Sequence, residues 1–175
     1  GAISAIRDLG LHCKRVSGGL PVLISPWIDG EKAVMASAAA LKKPTAVSLE
    51  THAQEWNEIF KGIQGAVDIV AFQDGHVAYE QLRSYLEVNK KLADQYGLVS
   101  WTNTESFDRD MPIKFLPIKF DKLQYKLAQA AAVGMEKAIT FEFSHFMSPQ
   151  SAYKQAGHLY QRYTDYYLNS NTQNP

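Results

Sequence analysis

The order of apolar and polar positions along the chain predicts four strands, each followed by a helix. Apolar runs that end in polar residues occur at Pro21–Gly30, Val67–His76, Leu98–Phe107 and Ala138–Pro149. Segments with apolar residues at helical spacing stand between these runs, and a first helix is predicted over residues 2–16. Repeated strand–helix units favour a parallel sheet with right-handed crossovers. In such folds the chemistry lies at the carboxyl ends of the strands.

The predicted elements have the following bounds. The strands are Leu20–Ile24, Val67–Phe72, Leu98–Trp101 and Ala138–Phe143. The later helices are His52–Gly62 behind a cap at Thr51, Ala78–Tyr96, Lys122–Val133 behind a cap at Asp121, and one that starts at Ser148 or Gln150. Pro26 is expected to end the pairing of the first strand, because proline has no N–H to donate.

The remaining segments are expected to be loops. A long insertion follows the first strand, and its alanine-rich part, Ala33–Leu41, predicts a short helix. Ser106–Phe120 is expected to be an irregular loop, since it contains two prolines and mixed charges. Residues 1–168 are predicted to form one α/β domain, and residues 169–175 a polar, disordered tail.

Two folds fit this order of elements, a doubly wound open sheet and half of a (β/α)8 barrel. No Gly-x-Gly-x-x-Gly or Walker-type loop follows any strand, which removes the main nucleotide-binding support for the open sheet. No cofactor is predicted. A complete barrel takes about 250 residues, so this chain supplies roughly half of its strands. Such a half leaves two sheet edges and one apolar face uncovered. We therefore expect it to meet another copy of the chain or a missing N-terminal half.

Composition narrows the range of partners. Lys plus Arg equals Asp plus Glu at 18 each, which gives no electrostatic reason to expect nucleic acid or an anionic membrane. No apolar run reaches the roughly 18 residues of a membrane span, and no secretory signal opens the chain. The single cysteine, Cys13, cannot form an internal disulfide and leaves the redox compartment open.

Glu105 is the strongest catalytic candidate. It follows the third predicted strand, close to Asn103, and could serve as a nucleophile or a general base. The alternative is a solvated loop carboxylate that caps the chain or pairs with Arg109. After the second strand, Gln73 and Asp74 could bind sugar hydroxyls, although a turn or a helix cap is the favoured interpretation of Asp74.

Glu142 and His145 are candidates at the last strand. Phenylalanines flank Glu142, and burial without a partner would raise its pKa, as a general acid requires. A buried ion pair with a lysine is the alternative. Trp27 and Trp101, at strand ends, could stack on a sugar ring or belong to the core.

A metal site is the weakest of the chemical hypotheses. Carboxylates and histidines from several strand ends could assemble one, and these residues are Asp29, Asp74, His76 and His145. No H-x-x-x-H or H-x-H spacing supports such a site, so no metal is predicted.

Together these motifs resemble a bacterial family of unassigned function, a glycoside-hydrolase-like TIM barrel common in Bacteroides-type gut bacteria. The resemblance is carried, in order, by Pro21–Trp27, Asp68–Gly75, Trp101–Phe107 and Phe141–Pro149. It covers nearly the whole chain and matches the C-terminal half of the family domain. It implies carbohydrate as the partner and a periplasmic or cell-surface location.

The resemblance also implies roles for the carboxylates. Retaining glycosidases of this superfamily place a nucleophilic Glu after the seventh strand, which corresponds to Glu105 if the strands here are the fifth to eighth. Their acid/base Glu follows the fourth strand, which would lie outside this chain. A retaining pair needs carboxyl groups about 5–5.5 Å apart and an inverting pair about 6.5–9.5 Å. The isolated chain is therefore expected to be inactive unless Glu142 or Asp74 supplies the acid. A non-catalytic carbohydrate-binding barrel and a metal-dependent hydrolase are the alternatives.

Overall fold

The computed structural model describes residues 1–30, 48–109 and 115–172, with side chains described up to residue 169. Its helices are α1 (Ala2–Val16), α2 (Leu49–Ile63), α3 (Tyr79–Gln95), α4 (Phe120–Ala132), α5 (Phe143–Phe146) and α6 (Lys154–Thr172). Its strands are β1 (Leu23–Ile24), β2 (Ile69–Gln73), β3 (Val99–Glu105), β4 (Phe107–Asp108), β5 (Leu116–Pro117) and β6 (Ala138–Phe141). The helix predicted over Ala33–Leu41 lies outside the described residues.

Four strands form one parallel sheet in the order β1, β2, β3, β6, with helices flanking it. The register places Leu23 opposite Ile69, and Ile69 opposite Val99. The predicted α/β class of parallel (β/α) units is confirmed, and the sheet is that of a partial (β/α) barrel. A separate antiparallel pair, β4 and β5, forms where an irregular loop was expected.

Two strands extend or pair further than their sequence predicted. β3 continues to Glu105, four residues past the predicted end at Trp101, so Trp101 lies in mid-strand. Polar residues favour a loop, but pairing with the neighbouring strands outweighs that local preference. The expectation that Pro26 ends pairing was wrong: its carbonyl accepts the N–H of Gln73 at 2.8 Å, and Trp27 forms a parallel bridge with Gln73. Proline lacks a donor but keeps its acceptor.

Several helix ends also differ from the prediction, and α6 begins at Lys154 rather than at Ser148 or Gln150. The cap of α2 is Ser48, whose Oγ accepts the backbone N–H of Thr51 at 3.1 Å, so the cap predicted at Thr51 was wrong. α4 begins at Phe120, which places Asp121 inside its first turn rather than at the cap. α6 runs to Thr172 and so includes the first residues of the expected tail.

The chain divides into two compact units. The first unit comprises Gly1–Asn103 and Gln129–Ile139, and the second comprises Thr104–Ala128 and Thr140–Pro175. Within the second unit, buried apolar side chains of the β5–α4 region, of the end of α5 and of α6 form a small core, namely Ile118, Leu123, Met147 and Leu159. No helix in the described part of the chain is long and apolar enough to cross a bilayer.

The two faces of the sheet differ in the first unit. Val70 and Phe72 of β2 are buried in the core formed with the helices. Alternate positions point to the opposite face, where Val99 is 51% exposed and Leu23 is 38% exposed. This second face, formed by Leu23, Ile69 and Val99, is called the bare face below.

A buried polar pair joins α2 to α3 inside the first unit. His52, 1% exposed, lies 2.6 Å from Asn89 Oδ1 through its Nε2, and rings of Phe72 and Tyr85 pack against the imidazole. Because an amide oxygen only accepts, Nε2 carries the proton. Burial lowers the pKa of His52, although the Asn89 bond and the charge of Glu55 act in the opposite direction.

Candidate functional site

In the first unit, hydrogen bonds join polar groups at the carboxyl ends of three strands. The indole N–H of Trp27 donates to Gln73 Oε1, and Gln73 Nε2–H donates to the backbone carbonyl of Ser25 at 2.7 Å. Asn103 Nδ2–H donates to Ser25 Oγ at 2.8 Å, and the Ser25 hydroxyl donates to the carbonyl of Ala71 at 2.8 Å. The sequence reasoning missed Ser25, whose only sequence signal is its place between the first strand and Pro26.

The two tryptophan candidates have different surroundings. Trp27 is 53% exposed, and its ring packs against His76 at 5.1 Å between centroids, edge to face at 72°. Trp101 is not at a strand end, and the ammonium of Lys137 lies 5.0 Å from its ring centroid. The exposed ring of Trp27 therefore suits stacking with a ligand better than that of Trp101 does.

Asp74 and His76 are both buried in the turn after β2. The N–H of Val77 donates to the carbonyl of Asp74 at 3.1 Å, and the N–H of Asp74 donates to the carbonyl of Asn103 at 3.3 Å. The turn interpretation of Asp74 is confirmed. The helix-cap alternative is not, because the N-cap of α3 is Ala78.

In the second unit, Glu105 is the last residue of β3 and is held by an arginine. Its side chain is 3% exposed, and Arg109 donates to both carboxylate oxygens, from Nε to Oε2 and from Nη2 to Oε1, each at 2.8 Å. The guanidinium itself lies over Phe107 and Phe115, 5.0 and 5.5 Å from the ring centroids. Lys126 also reaches the backbone carbonyl of Glu105 at 3.4 Å. Of the non-catalytic alternative, the solvated environment was wrong, whereas the pairing with Arg109 is confirmed.

Glu142 caps the short helix α5. Its carboxylate accepts the N–H groups of His145 at 2.8 Å and Ser144 at 3.0 Å, and His145 Nδ1 lies 2.5 Å away. Partial burial acts to raise the pKa of Glu142, but the hydrogen bonds from His145 and Ser144 outweigh it and hold the pKa below its ordinary value. The raised pKa expected of an unpaired general acid is therefore not found. His145 itself is 73% exposed.

No three or more of the described His, Cys, Asp and Glu side chains lie together in a way that could hold a metal ion. Burial, and then the charge of Glu55, raise the pKa of Asp29.

Parallel strands that carry polar groups at their carboxyl ends place the chain in the class of α/β proteins whose functional groups lie at that edge of the sheet. Within that class, the chain belongs to the family described as a domain of unknown function, DUF4434, whose sequence model matches residues 2–153. The predicted membership in a family of unassigned function is thereby confirmed.

A solved structure from Bacteroides thetaiotaomicron is similar to this chain. It is described as a "putative alpha-L-fucosidase", is 62% identical in sequence and has a TM-score of 0.88 over 96% of this chain. The chain spans only 50% of that protein's length. No curated protein matches the chain.

Proposed function

We propose that the chain is the C-terminal half of a glycoside-hydrolase-like (β/α)8 barrel that acts on carbohydrate, with Glu105 as nucleophile or transition-state stabiliser. The position of Glu105 carries the proposal. It ends a central parallel strand, where catalytic groups of such folds lie, and Arg109 fixes both of its oxygens. A carboxylate held in one orientation by a bidentate arginine is suited to a reaction that needs defined geometry.

The name of the Bacteroides relative supports α-L-fucosides as the substrate class. At 62% identity the side chains of the two proteins are largely shared, so a common substrate class is a reasonable expectation. Gln73, Asp74, Asn103 and His145 would contact sugar hydroxyls, and Trp27 and Trp101 would stack on sugar rings.

A second carboxyl group is needed for turnover. In a retaining reaction Glu105 would attack the anomeric carbon while an acid protonates the departing oxygen, and water would then hydrolyse the glycosyl ester. Glu142 supports this acid role poorly, because its lowered pKa keeps it ionised. We propose that the acid comes from the remaining half of a longer polypeptide or from another copy, which would also cover the bare face. The isolated chain would then be inactive.

The test uses a polypeptide of the length of the Bacteroides relative. We expect hydrolysis of 4-nitrophenyl α-L-fucoside above that of other aryl glycosides, and a loss of about 10²–10⁴-fold in kcat for Glu105→Gln. Asp108→Asn is the matched control, since Asp108 is also a buried carboxylate of the second unit and pairs with Lys122. A 2-fluorofucosyl fluoride should leave a covalent sugar on the peptide that contains Glu105. Full activity of Glu105→Gln would refute the catalytic role.

One observation favours a second candidate, a carbohydrate-binding barrel without catalysis. Both oxygens of Glu105 already accept hydrogen bonds from Arg109, and this charge-assisted pairing makes the carboxylate a weaker nucleophile toward a sugar. Binding of L-fucose by the full-length protein without turnover of any aryl glycoside would support this candidate.

A further inference from the structure

The side chain of Trp27 is held in place although half of its surface is exposed. Its N–H is bonded to Gln73, and its ring packs against His76 in a T-shaped arrangement. Its backbone is held as well, because the N–H of Gln73 donates to the carbonyl of Pro26 and the N–H of Ile28 donates to the carbonyl of Gln73 at 3.2 Å. The polar edge of the indole is thus satisfied within the protein, while 53% of the residue stays accessible.

The side-chain amide of Gln73 can take only one orientation in this arrangement. An indole N–H is a donor only, so it requires the amide oxygen. A backbone carbonyl is an acceptor only, so Ser25 requires the amide nitrogen, which lies 2.7 Å from it. Gln73 therefore spans from the backbone after β1 to the indole and uses both ends of its amide on protein groups.

We propose that Gln73 is a positioning residue that acts through Trp27, holding the indole as a preorganised stacking surface for the apolar face of a pyranose. This inference rests on the proposed carbohydrate function and changes the role of Gln73 from direct contact with sugar to support of the ring that contacts it. An aromatic side chain already fixed in its bound orientation loses little conformational freedom when the sugar arrives. A freely rotating Trp27 would lose that advantage.

A double-mutant cycle separates support from direct contact. Gln73→Met keeps the length of the side chain and removes both hydrogen bonds, whereas Trp27→Phe keeps a ring and removes the N–H that Gln73 holds. In the full-length protein we expect Gln73→Met to weaken L-fucose binding roughly two- to tenfold. In the Trp27→Phe background the same exchange should have no further effect. A further loss in that background would show direct contact with the sugar and overturn the proposal.

Fluorescence of the ligand-free protein measures the mobility and accessibility of Trp27 directly. A general structural role of Gln73 would not change these two properties of the Trp27 emission. The emission of Trp27 is obtained as the difference between the wild-type protein and Trp27→Phe. Gln73→Met should increase acrylamide quenching and lower the anisotropy of that emission. Gln54→Met, the same exchange at an exposed position of α2, should leave both unchanged.

The outcomes distinguish this inference from the function on which it rests. If L-fucose binds but the emission of Trp27 is the same in Gln73→Met as in the wild type, the positioning role is overturned and the carbohydrate function stands. If neither L-fucose nor another monosaccharide binds the full-length protein, the proposed function fails, and the stacking role fails with it.

Discussion

Val99→Lys is expected to leave the stability of the isolated chain unchanged. In a polypeptide of the length of the Bacteroides relative, the same substitution is expected to lower the free energy of unfolding. Val99 lies on the bare face beside Ile69 and Leu23 and is 51% exposed. Sheets made only of parallel strands are normally covered on both faces. If the remaining half of a longer polypeptide covers this face, as we propose, the exposed part of Val99 becomes buried there.

The expected cost follows from this exposure. Complete burial of a valine contributes about 1.5–3 kcal/mol, so covering the exposed half of Val99 contributes roughly 1 kcal/mol, which Val99→Lys forfeits. An ammonium without a counter-charge in an apolar interface costs several kcal/mol more. The longer polypeptide should therefore lose about 3 kcal/mol or more of its free energy of unfolding. In the isolated chain the ammonium stays in water, and the change should remain within about 0.5 kcal/mol.

Urea unfolding of both polypeptides, with and without Val99→Lys, measures the difference. Val16→Lys is the matched control, because this valine in the last turn of α1 is 67% exposed and a cation near the C-terminus of a helix is favourable. It should change neither polypeptide appreciably. Equal unfolding midpoints for Val99→Lys and wild type in the longer polypeptide would refute the covering of the bare face. A loss in the isolated chain together with loss of a dimer would instead identify a second copy as the cover.

Three further predictions concern single contacts. Arg109→Met leaves the buried carboxylate of Glu105, 3% exposed, without its ion pair, and urea unfolding should show a loss of about 3 kcal/mol in the free energy of unfolding. Arg109→Lys should lose less, because lysine keeps the positive charge although it cannot form the bidentate pair. The pKa of His52 is lowered by burial, so between its folded pKa and about 6.5 the unfolded chain binds more protons. Stability should therefore fall as the pH drops below about 6.5, and His52→Gln should flatten this dependence in unfolding curves measured from pH 5 to 7.5. Glu142→Ala removes the cap of α5 and should cost about 1 kcal/mol at pH 7, with the difference from wild type shrinking as acid protonates the carboxyl.

Much of the fold could be predicted because strong apolar periodicity decides the helices and the sheet. α1 runs over Ala2–Val16 as predicted, and α3 differs by one residue at each end. Strand ends were harder to predict. Thr102–Glu105 consists of polar residues, which locally favour a loop, and only the neighbouring strands supply the partners that make it a strand.

The residue types of the candidate site could be predicted from the sequence, but the hydrogen bonds between them could not. The place of Glu105 after an apolar run makes it a candidate, and Arg109, four residues further on, is the partner named in its non-catalytic interpretation. The network through Ser25 could not be predicted, because two of its acceptors are the backbone carbonyls of Ser25 and Ala71, which every residue possesses. The carboxylate of Glu142 is not unpaired, because it accepts backbone N–H groups of α5, so its pKa is not raised. A helix of only four residues has too little sequence pattern to be predicted, and its capping residue could not be predicted either.

The backbone pairing that continues past Pro26 restricts how ligand preference could change among related proteins. Backbone hydrogen bonds on both sides of Trp27 tie the segment to Gln73, so inserting or deleting a residue between Pro26 and Ile28 would break at least one of these bonds. Chain length in this segment is thereby constrained, whereas the side chain at position 27 can be exchanged without disturbing the backbone. Relatives that prefer other ligands would then be expected to differ at position 27 in residue type and to keep the spacing around it.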